Sequence, residues 1–568
     1  MPKTPTRYLV LIMSIALLLS GVAVSSSVQS NFGLVLVTEV DFSAADGSNI
    51  HSTLQRPTYA TDSNPLPGVV VIHGSLQNKE WLMAFGIELA RRGFVVLTID
   101  ANGHGNSDDG TGSGTAALEY IASLDYVNSS SLGLIGHSMG GGIAWSAIRD
   151  SSIQVNALVL VGSWASTANA TYPNNLLVTV GSFDSLASYP RNLTLLETAF
   201  GVTGIEEGVT YGSFNDGTAR KIVIAPTNHL FETIDPIIVS ESIDWMKDSL
   251  KGGIEDENWL PKEDLIFGGW LAGGFISTLG VVLTIFPLIT ILLNLSFFES
   301  LKKEPSSEYS ASTKTFTGLG LSYGLIGVGM FFPLLGLGFL LPLPQSYAGP
   351  VISWILGTAI IAAVLLYVLV GKRQISGLNW RQFWKIDEDP THRQLTVLKT
   401  SLLAAVIVVW LYSWTLLIDL GMALDFRCFL PGLNDLTVPR AIMFPLYAIV
   451  FFMYSLVEGA WLMGILRGEN KEPWYVGQTI WSLKAIFIKC IPYAFLISLQ
   501  LGVGFLTGLP LLTGMLGYSF LFFYAFAPWF AVGSVIIVWS YRSTNSYYLG
   551  AIINGLLFGW LLATILSF

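Results

Sequence analysis

The chain has 568 residues, of which 52% are hydrophobic and only 12% charged. Soluble proteins carry about 25% charge, so a wholly soluble protein is excluded, and the length exceeds one ordinary domain. A net charge of −10 with no basic stripe argues against nucleic-acid binding, which needs cations to neutralise phosphate.

The first apolar run is Tyr8–Val24, behind Lys3 and Arg7. This pattern reads, for residues 1–29, as a signal anchor or as a signal peptide with a small-residue site at Ala23-Val24-Ser25; the uncleaved anchor is preferred. Either way the following residues are carried across the membrane. Residues 30–262 have globular texture. Val35–Phe42 and Ile50–Arg56 alternate around the turn Ala45-Asp46-Gly47 and predict a hairpin. Val69–Ile72, the helix Asn78–Arg92, Val95–Ile99, a helix near Thr115–Tyr126 and the strand Leu132–Ile135 follow. Then come Ala157–Val161, Leu176–Val180, Lys221–Ala225 and a closing helix near Glu241–Leu250. Apolar strands alternating with helices predict a mostly parallel sheet covered on both faces.

Leu134-Ile135-Gly136-His137-Ser138-Met139-Gly140-Gly141-Gly142 is the most informative stretch. A short apolar strand runs through Gly-x-Ser-x-Gly into a helix, the pattern of a nucleophile elbow that presents the Ser138 hydroxyl to substrate. Gly136 and Gly140 are expected there because a Cβ would collide where the chain reverses. With eight strands, the first two antiparallel and the serine after the fifth, residues 30–250 resemble the α/β-hydrolase superfamily, in the manner of dienelactone hydrolases, esterases and serine aminopeptidases. His73-Gly74-Ser75 after the third strand and Asp100-Ala101-Asn102-Gly103-His104-Gly105-Asn106-Ser107 after the fourth carry the same resemblance. It implies that His73 and Gly74 support a loop in which the backbone N–H of Ser75, with that of Met139, forms an oxyanion hole.

A serine hydroxyl needs a base, and the base an orienting acid. Of six histidines, His392 falls in a loop across the membrane, His51 reads as a hairpin-edge residue, and His73 and His104 as shapers of their turns. His137, inside the elbow, is expected to point away from the nucleophile. His229, just beyond the last strand, remains as the base, because parallel sheets collect their chemistry at the carboxyl ends of strands. Val178-Thr179-Val180-Gly181-Ser182-Phe183-Asp184 ends the seventh strand where the resemblance implies the acid, in the superfamily order Ser138, Asp184, His229; Asp100, Glu206 and Glu207 are its rivals. No cofactor and no metal are expected. Only about 14 residues separate strands six and seven, so no large lid is expected, with 185–220 as a partial cover.

From Ile266 onward, runs of about 20 apolar residues or more, each long enough to cross a hydrocarbon core of about 30 Å, follow one another. Eight are counted, at 266–295, 317–343, 350–371, 397–424, 442–467, 486–506, 511–541 (with Pro528, hence tilted or kinked) and 546–567, making 263–568 an all-α membrane domain. With residues 30–262 outside, the inner loops carry Lys302, Lys303, Lys314, Lys372, Arg373, Arg381, Lys385, Arg393, Arg467, Lys471, Lys484 and Arg542, against Arg427 and Arg440 in the outer ones, a positive-inside bias. Sequons at Asn128, Asn169 and Asn192 lean the same way. Cys428 and Cys490 are expected on opposite sides of the membrane and cannot pair. Glu458 is the most central ionisable residue, a functional candidate unless it is protonated or paired with Lys489. The reading is therefore a multi-pass cell-membrane serine hydrolase with its hydrolase domain outside the cytoplasm. Its expected partners are membrane lipids and a small-molecule or lipid-like acyl substrate. The alternative is a transporter or lipid-handling protein whose outer domain binds or processes cargo.

Overall fold

A computed structural model of the chain describes residues 4–568 except 188, 257, 306–308, 373–379, 386–388, 427–432 and 470–472. Lys3, Arg373, Arg427, Cys428 and Lys471 lie outside the described residues. Eight strands form one sheet: β1 (Val35–Ser43), β2 (Asn49–Pro57), β3 (Leu66–Ile72), β4 (Val95–Ile99), β5 (Val127–His137), β6 (Ala157–Val161), β7 (Leu176–Gly181) and β8 (Arg220–Ala225). Their order is β1-β2-β4-β3-β5-β6-β7-β8. Only β1–β2 and β2–β4 pair antiparallel; every later pair is parallel. The sequence dictates this. β4 and β6 are buried at every position, as strands covered by helices on both faces must be, whereas β1 alternates at the rim. The central pair β3 and β5 lie in register with Ile72 opposite Gly136, so the loops after them emerge side by side.

Among the described residues, nine helices are long and apolar enough to cross a membrane: Thr6–Gln29, Phe267–Leu292, Thr313–Gly338, Ala348–Gly371, Pro390–Met422, Val438–Ile465, Trp474–Thr507, Leu516–Thr544 and Tyr548–Ile565. Their outer surface is apolar, with Leu506 87% and Leu420 74% exposed, as a lipid-facing surface requires. The N-terminal helix packs backbone to backbone on the second: a Cβ on Gly21 would lie 2.4 Å from Ser277 N and one on Gly280 2.4 Å from Leu18 N. Small residues at such contacts let membrane helices approach closely. Helix Leu521–Thr544 continues through Pro528. Glu458 faces Lys489 at 3.3 Å, both side chains buried between the spans.

The sheet is seated on the helices at one end only. Glu88 Oε1 accepts from the N–H groups of Ile266 (2.6 Å) and Phe267 (2.9 Å), so a carboxylate of the sheet's covering helix caps one of the long apolar helices. At the same end the Asn434 side chain donates to Asn106, Asn106 donates to Asp435, and Gly103 O accepts from Arg440 and from the Phe568 N–H. The opposite ends of the spans are tied to one another, by Lys303 N–H to Ser543 O and Ala311 N–H to Arg467 O.

Candidate active site

Ser138 stands between β5 and the helix Met139–Asp150 at φ 53° and ψ −117°, a strained conformation that lifts its side chain out of the turn. The flanking glycines are obligatory: a Cβ on Gly136 would lie 2.4 Å from Gly140 O, and one on Gly140 2.2 Å from Ile72 O. The Ser138 hydroxyl donates to His229 Nε2 at 2.9 Å, and His229 Nδ1–H donates to Asp184 Oδ2 at 2.7 Å. The other oxygen of Asp184 accepts from the N–H groups of Leu186 (2.6 Å) and Ala187 (2.8 Å), which fixes the carboxylate. Three side chains from the ends of β5, β7 and β8, separated by 45 or more residues in the chain, are thereby joined. Burial pushes the Asp184 carboxyl up, but the charge and hydrogen bond of His229 outweigh it and hold the carboxyl below its ordinary range.

Ser75 lines the same cavity as Ser138, and its Oγ is 3.3 Å from Met139 Sδ, so the loop after β3 meets the elbow. Gly74 is needed because a Cβ there would lie 2.9 Å from His137 Nδ1 and 3.0 Å from Ser138 Cβ. His73 shapes this loop: its Nδ1–H donates to Gly74 O (2.7 Å), and its Nε2 accepts from Ala101 N–H (3.0 Å). The N–H of Met139 opens the elbow helix, one of the groups that lack an intrahelical acceptor.

The rivals have other employment. Asp100 accepts from the N–H groups of Lys79 (2.8 Å) and Asn106 (2.9 Å), bracing its loop. Glu207 accepts from Ile224 N–H, and Glu206 is exposed. His51 pairs with Glu39 and Asp41 on the hairpin. His104 donates to Asn102 O. His137 departs from expectation. Its ring packs against that of His229, with centroids 4.8 Å apart, and lines the cavity, because the elbow leaves β5 turned toward the last loop. Burial, with the charge of His229 beside it, holds its imidazole well below the usual range and keeps it neutral.

Two features escaped the sequence reading. Glu232 is buried behind His229, with Oε1 accepting from Gly181 N–H (2.6 Å) and Oε2 3.5 Å from His229 Nδ1 and 3.4 Å from His137 Nε2. Burial and the neighbouring Asp184 raise its carboxyl well above the ordinary value, so Glu232 keeps its proton and Asp184 takes the charge. His137, His229 and Glu232 bring ligand-type atoms within 4.8 Å of one another, but His229 Nδ1 is held by Asp184 and Glu232 Oε1 by Gly181. The second feature corrects the expectation of an uncovered site. A cavity of about 350 Å³ opens on Ser138 and His229, and its far walls are Trp270, Leu271, Tyr518, Leu521, Phe522, Ala525 and Ile565. These residues belong to or adjoin three of the apolar helices, so the helical region supplies the cover that the short β6–β7 connection does not.

Sheet order and elbow define the class: an α/β-hydrolase fold followed by an all-helical region with long apolar helices. Residues 63–189 match the family described as serine aminopeptidase, S33, a stretch that holds Ser75, Ser138 and Asp184 but ends before His229. The chain is 37% identical over 95 residues to a bis(hydroxyethyl) terephthalate hydrolase of Streptomyces coelicolor, a match covering 16% of this chain and 30% of the relative. Among solved structures it is similar to that of DcsB in complex with its substrate analogue, at 16% identity and a TM-score of 0.30, covering 38% of this chain and 100% of the other. Hypothetical protein PA2218 from Pseudomonas aeruginosa is similar at 15% identity and a TM-score of 0.30, covering 38% and 94%.

Proposed function

We propose that the protein is a membrane-bound serine hydrolase that cleaves an ester, thioester or amide bond, with Ser138 as nucleophile, His229 as base and Asp184 as orienting acid. The observation that carries this reading is the run of 2.9 Å and 2.7 Å hydrogen bonds from Ser138 through His229 to Asp184. Ser138 Oγ attacks the acyl carbon while its proton passes to His229 Nε2, and Asp184 stabilises the imidazolium. The carbonyl oxygen takes up the negative charge toward the N–H groups of Ser75 and Met139. The tetrahedral species collapses, the leaving group departs with the proton from His229, and the acyl group stays on Ser138. A water molecule then gives its proton to His229 and its hydroxide to the acyl carbon, releasing the acid and restoring Ser138. The similarity to a hydrolase of a terephthalate ester favours an ester among the three bond types.

The chain is proposed to be a multi-pass protein of the cell membrane, with residues 1–29 as a retained anchor, 30–262 as the hydrolase domain outside the cytoplasm and 263–568 as the membrane domain. The glycine contacts of the N-terminal helix support retention. The excess of Lys and Arg in the loops at the end away from the sheet supports the orientation. For the transporter alternative, Glu458 would have to act in the pathway; its pairing with Lys489 favours a structural role instead. A fluorophosphonate probe should label the full-length protein, and Ser138→Ala should abolish the label. An unlabelled, folded wild type would refute the hydrolase reading.

A further inference from the structure

The covered cavity carries more than a roof. Tyr518, Leu521, Phe522 and Ala525 follow one another at helical spacing, so one face of the span Leu516–Thr544 forms the wall opposite Ser138. Trp270 and Leu271 of the second apolar helix and Ile565 at the end of the last complete that wall. Among the described lining residues Glu80 is the one carboxylic side chain, and it is held by Lys79 Nζ at 2.8 Å. No Lys or Arg among the described lining residues stands ready to receive a phosphate or a free carboxylate. About 350 Å³ lies at the small end of ligand pockets, which run from about 300 to 1,000 Å³. That is room for an aliphatic chain. Beside the site, Phe183, next in sequence to Asp184, packs on Phe505 with ring centroids 4.8 Å apart. Phe505, Leu506, Leu509 and Leu516 are themselves exposed, an apolar lip where the spans meet the sheet.

Resting on the serine-hydrolase reading, we infer that the substrate is a fatty-acyl ester whose aliphatic acyl chain lies between the sheet and the membrane helices, reached from the bilayer over this lip. The chain length is read by the helix face Leu521–Ala525, which sets where the acyl tail ends. Residues of the membrane helices are then specificity-determining residues for chemistry performed on the sheet, and the charged or polar part of the substrate stays outside the cavity.

The test uses the full-length protein in phospholipid nanodiscs with p-nitrophenyl esters from acetyl to dodecanoyl. Each methylene that enters the cavity should raise kcat/KM by about fourfold until the cavity is full, after which the rise stops. Ala525→Trp should lower the ratio of decanoyl to acetyl kcat/KM by about tenfold or more, and Leu521→Ala should move the optimum to a longer chain. If Ala525→Trp fails to fold, the direction of the Leu521→Ala shift decides alone. A wild type that labels with fluorophosphonate yet prefers acetyl, with neither variant moving the profile, would overturn this inference and leave the hydrolase reading standing. A wild type that does not label would overturn both.

Discussion

Two carboxyls meet behind His229, and their different surroundings divide the labour between them. Asp184 has two backbone N–H groups and the imidazole to stabilise its charge, whereas Glu232 has one N–H and is otherwise sealed. Asp184→Asn leaves the shape intact but offers His229 Nδ1 a donor in place of an acceptor, so kcat for an ester substrate should fall by about 10⁴ with labelling slowed in parallel. Glu232 makes a different prediction, about pH. Its folded-state pKa lies above the ordinary 4.5, so its favourable contribution is fully present below about 4.5. Above that pH the unfolded chain ionises while the folded protein stays protonated, and the contribution is lost as pH rises toward the raised value. Glu232→Gln keeps a neutral donor at the same place and removes this loss. The thermal midpoint of Glu232→Gln should therefore exceed that of wild type by a margin that grows from pH 5 to pH 8; a constant or shrinking margin would refute a protonated Glu232.

At the scale of elements, what was legible in the sequence is what is local. β6 reads as a strand because burial on both faces leaves an unbroken apolar run, β4 because its run is broken only by the β-favouring Thr98, and the elbow reads because two glycines and a serine lie within five residues. Asp184 and His229 are candidates by strand order, since each lies just past a strand end. Glu232 was not legible, because only the short helical turn Phe231–Ile234 folds it back behind His229. The cavity wall was not legible either. Its residues come from three distant helices, and an apolar helix carries no periodic mark of which face meets the sheet. The join between the sheet and the apolar helices is equally hidden in Glu88, which sits within an ordinary amphipathic pattern. Its carboxylate is fully buried, accepts from Arg91 (2.7 Å) and Arg92 (2.9 Å) and caps the helix at Ile266 and Phe267. Glu88→Ala takes the acceptor from the N–H groups of Ile266 and Phe267 and the shared carboxylate from Arg91 and Arg92, which keep the carbonyls of Leu260, Pro261 and Asp264, so it should destabilise the join by about 1–3 kcal/mol. Limited proteolysis near residues 251–265 would report that loss, and a wild-type cleavage rate in the variant would contradict it.

For the whole molecule, the consequence is that the hydrolase part is finished only by the helices. Phe231 packs edge-on against Tyr524, Phe183 against Phe505, and Ser185 O accepts from Gly514 N–H at 2.9 Å, so the loops bearing Asp184 and His229 both rest on residues of the helical region. Cut at residue 262, the chain would keep its sheet and the polar run Ser138–His229–Asp184 but lose the wall of the cavity, the helix that Glu88 caps and the contact of Phe568 with Gly103. The bared surface would join Trp81, Phe183, Leu230 and Phe231 around the mouth of the site, an apolar patch of the kind that drives association. Expressed alone, residues 30–262 should therefore self-associate without detergent, and their fluorophosphonate labelling should be at least about tenfold slower than that of the full chain, since a loop freed from its support misplaces the base. Light scattering and the labelling rate measure the two effects separately. A monomeric fragment that labels as fast as the full-length protein would mean that the helices tether a self-sufficient enzyme, whereas slow labelling in a monomer would assign the helices to positioning the site.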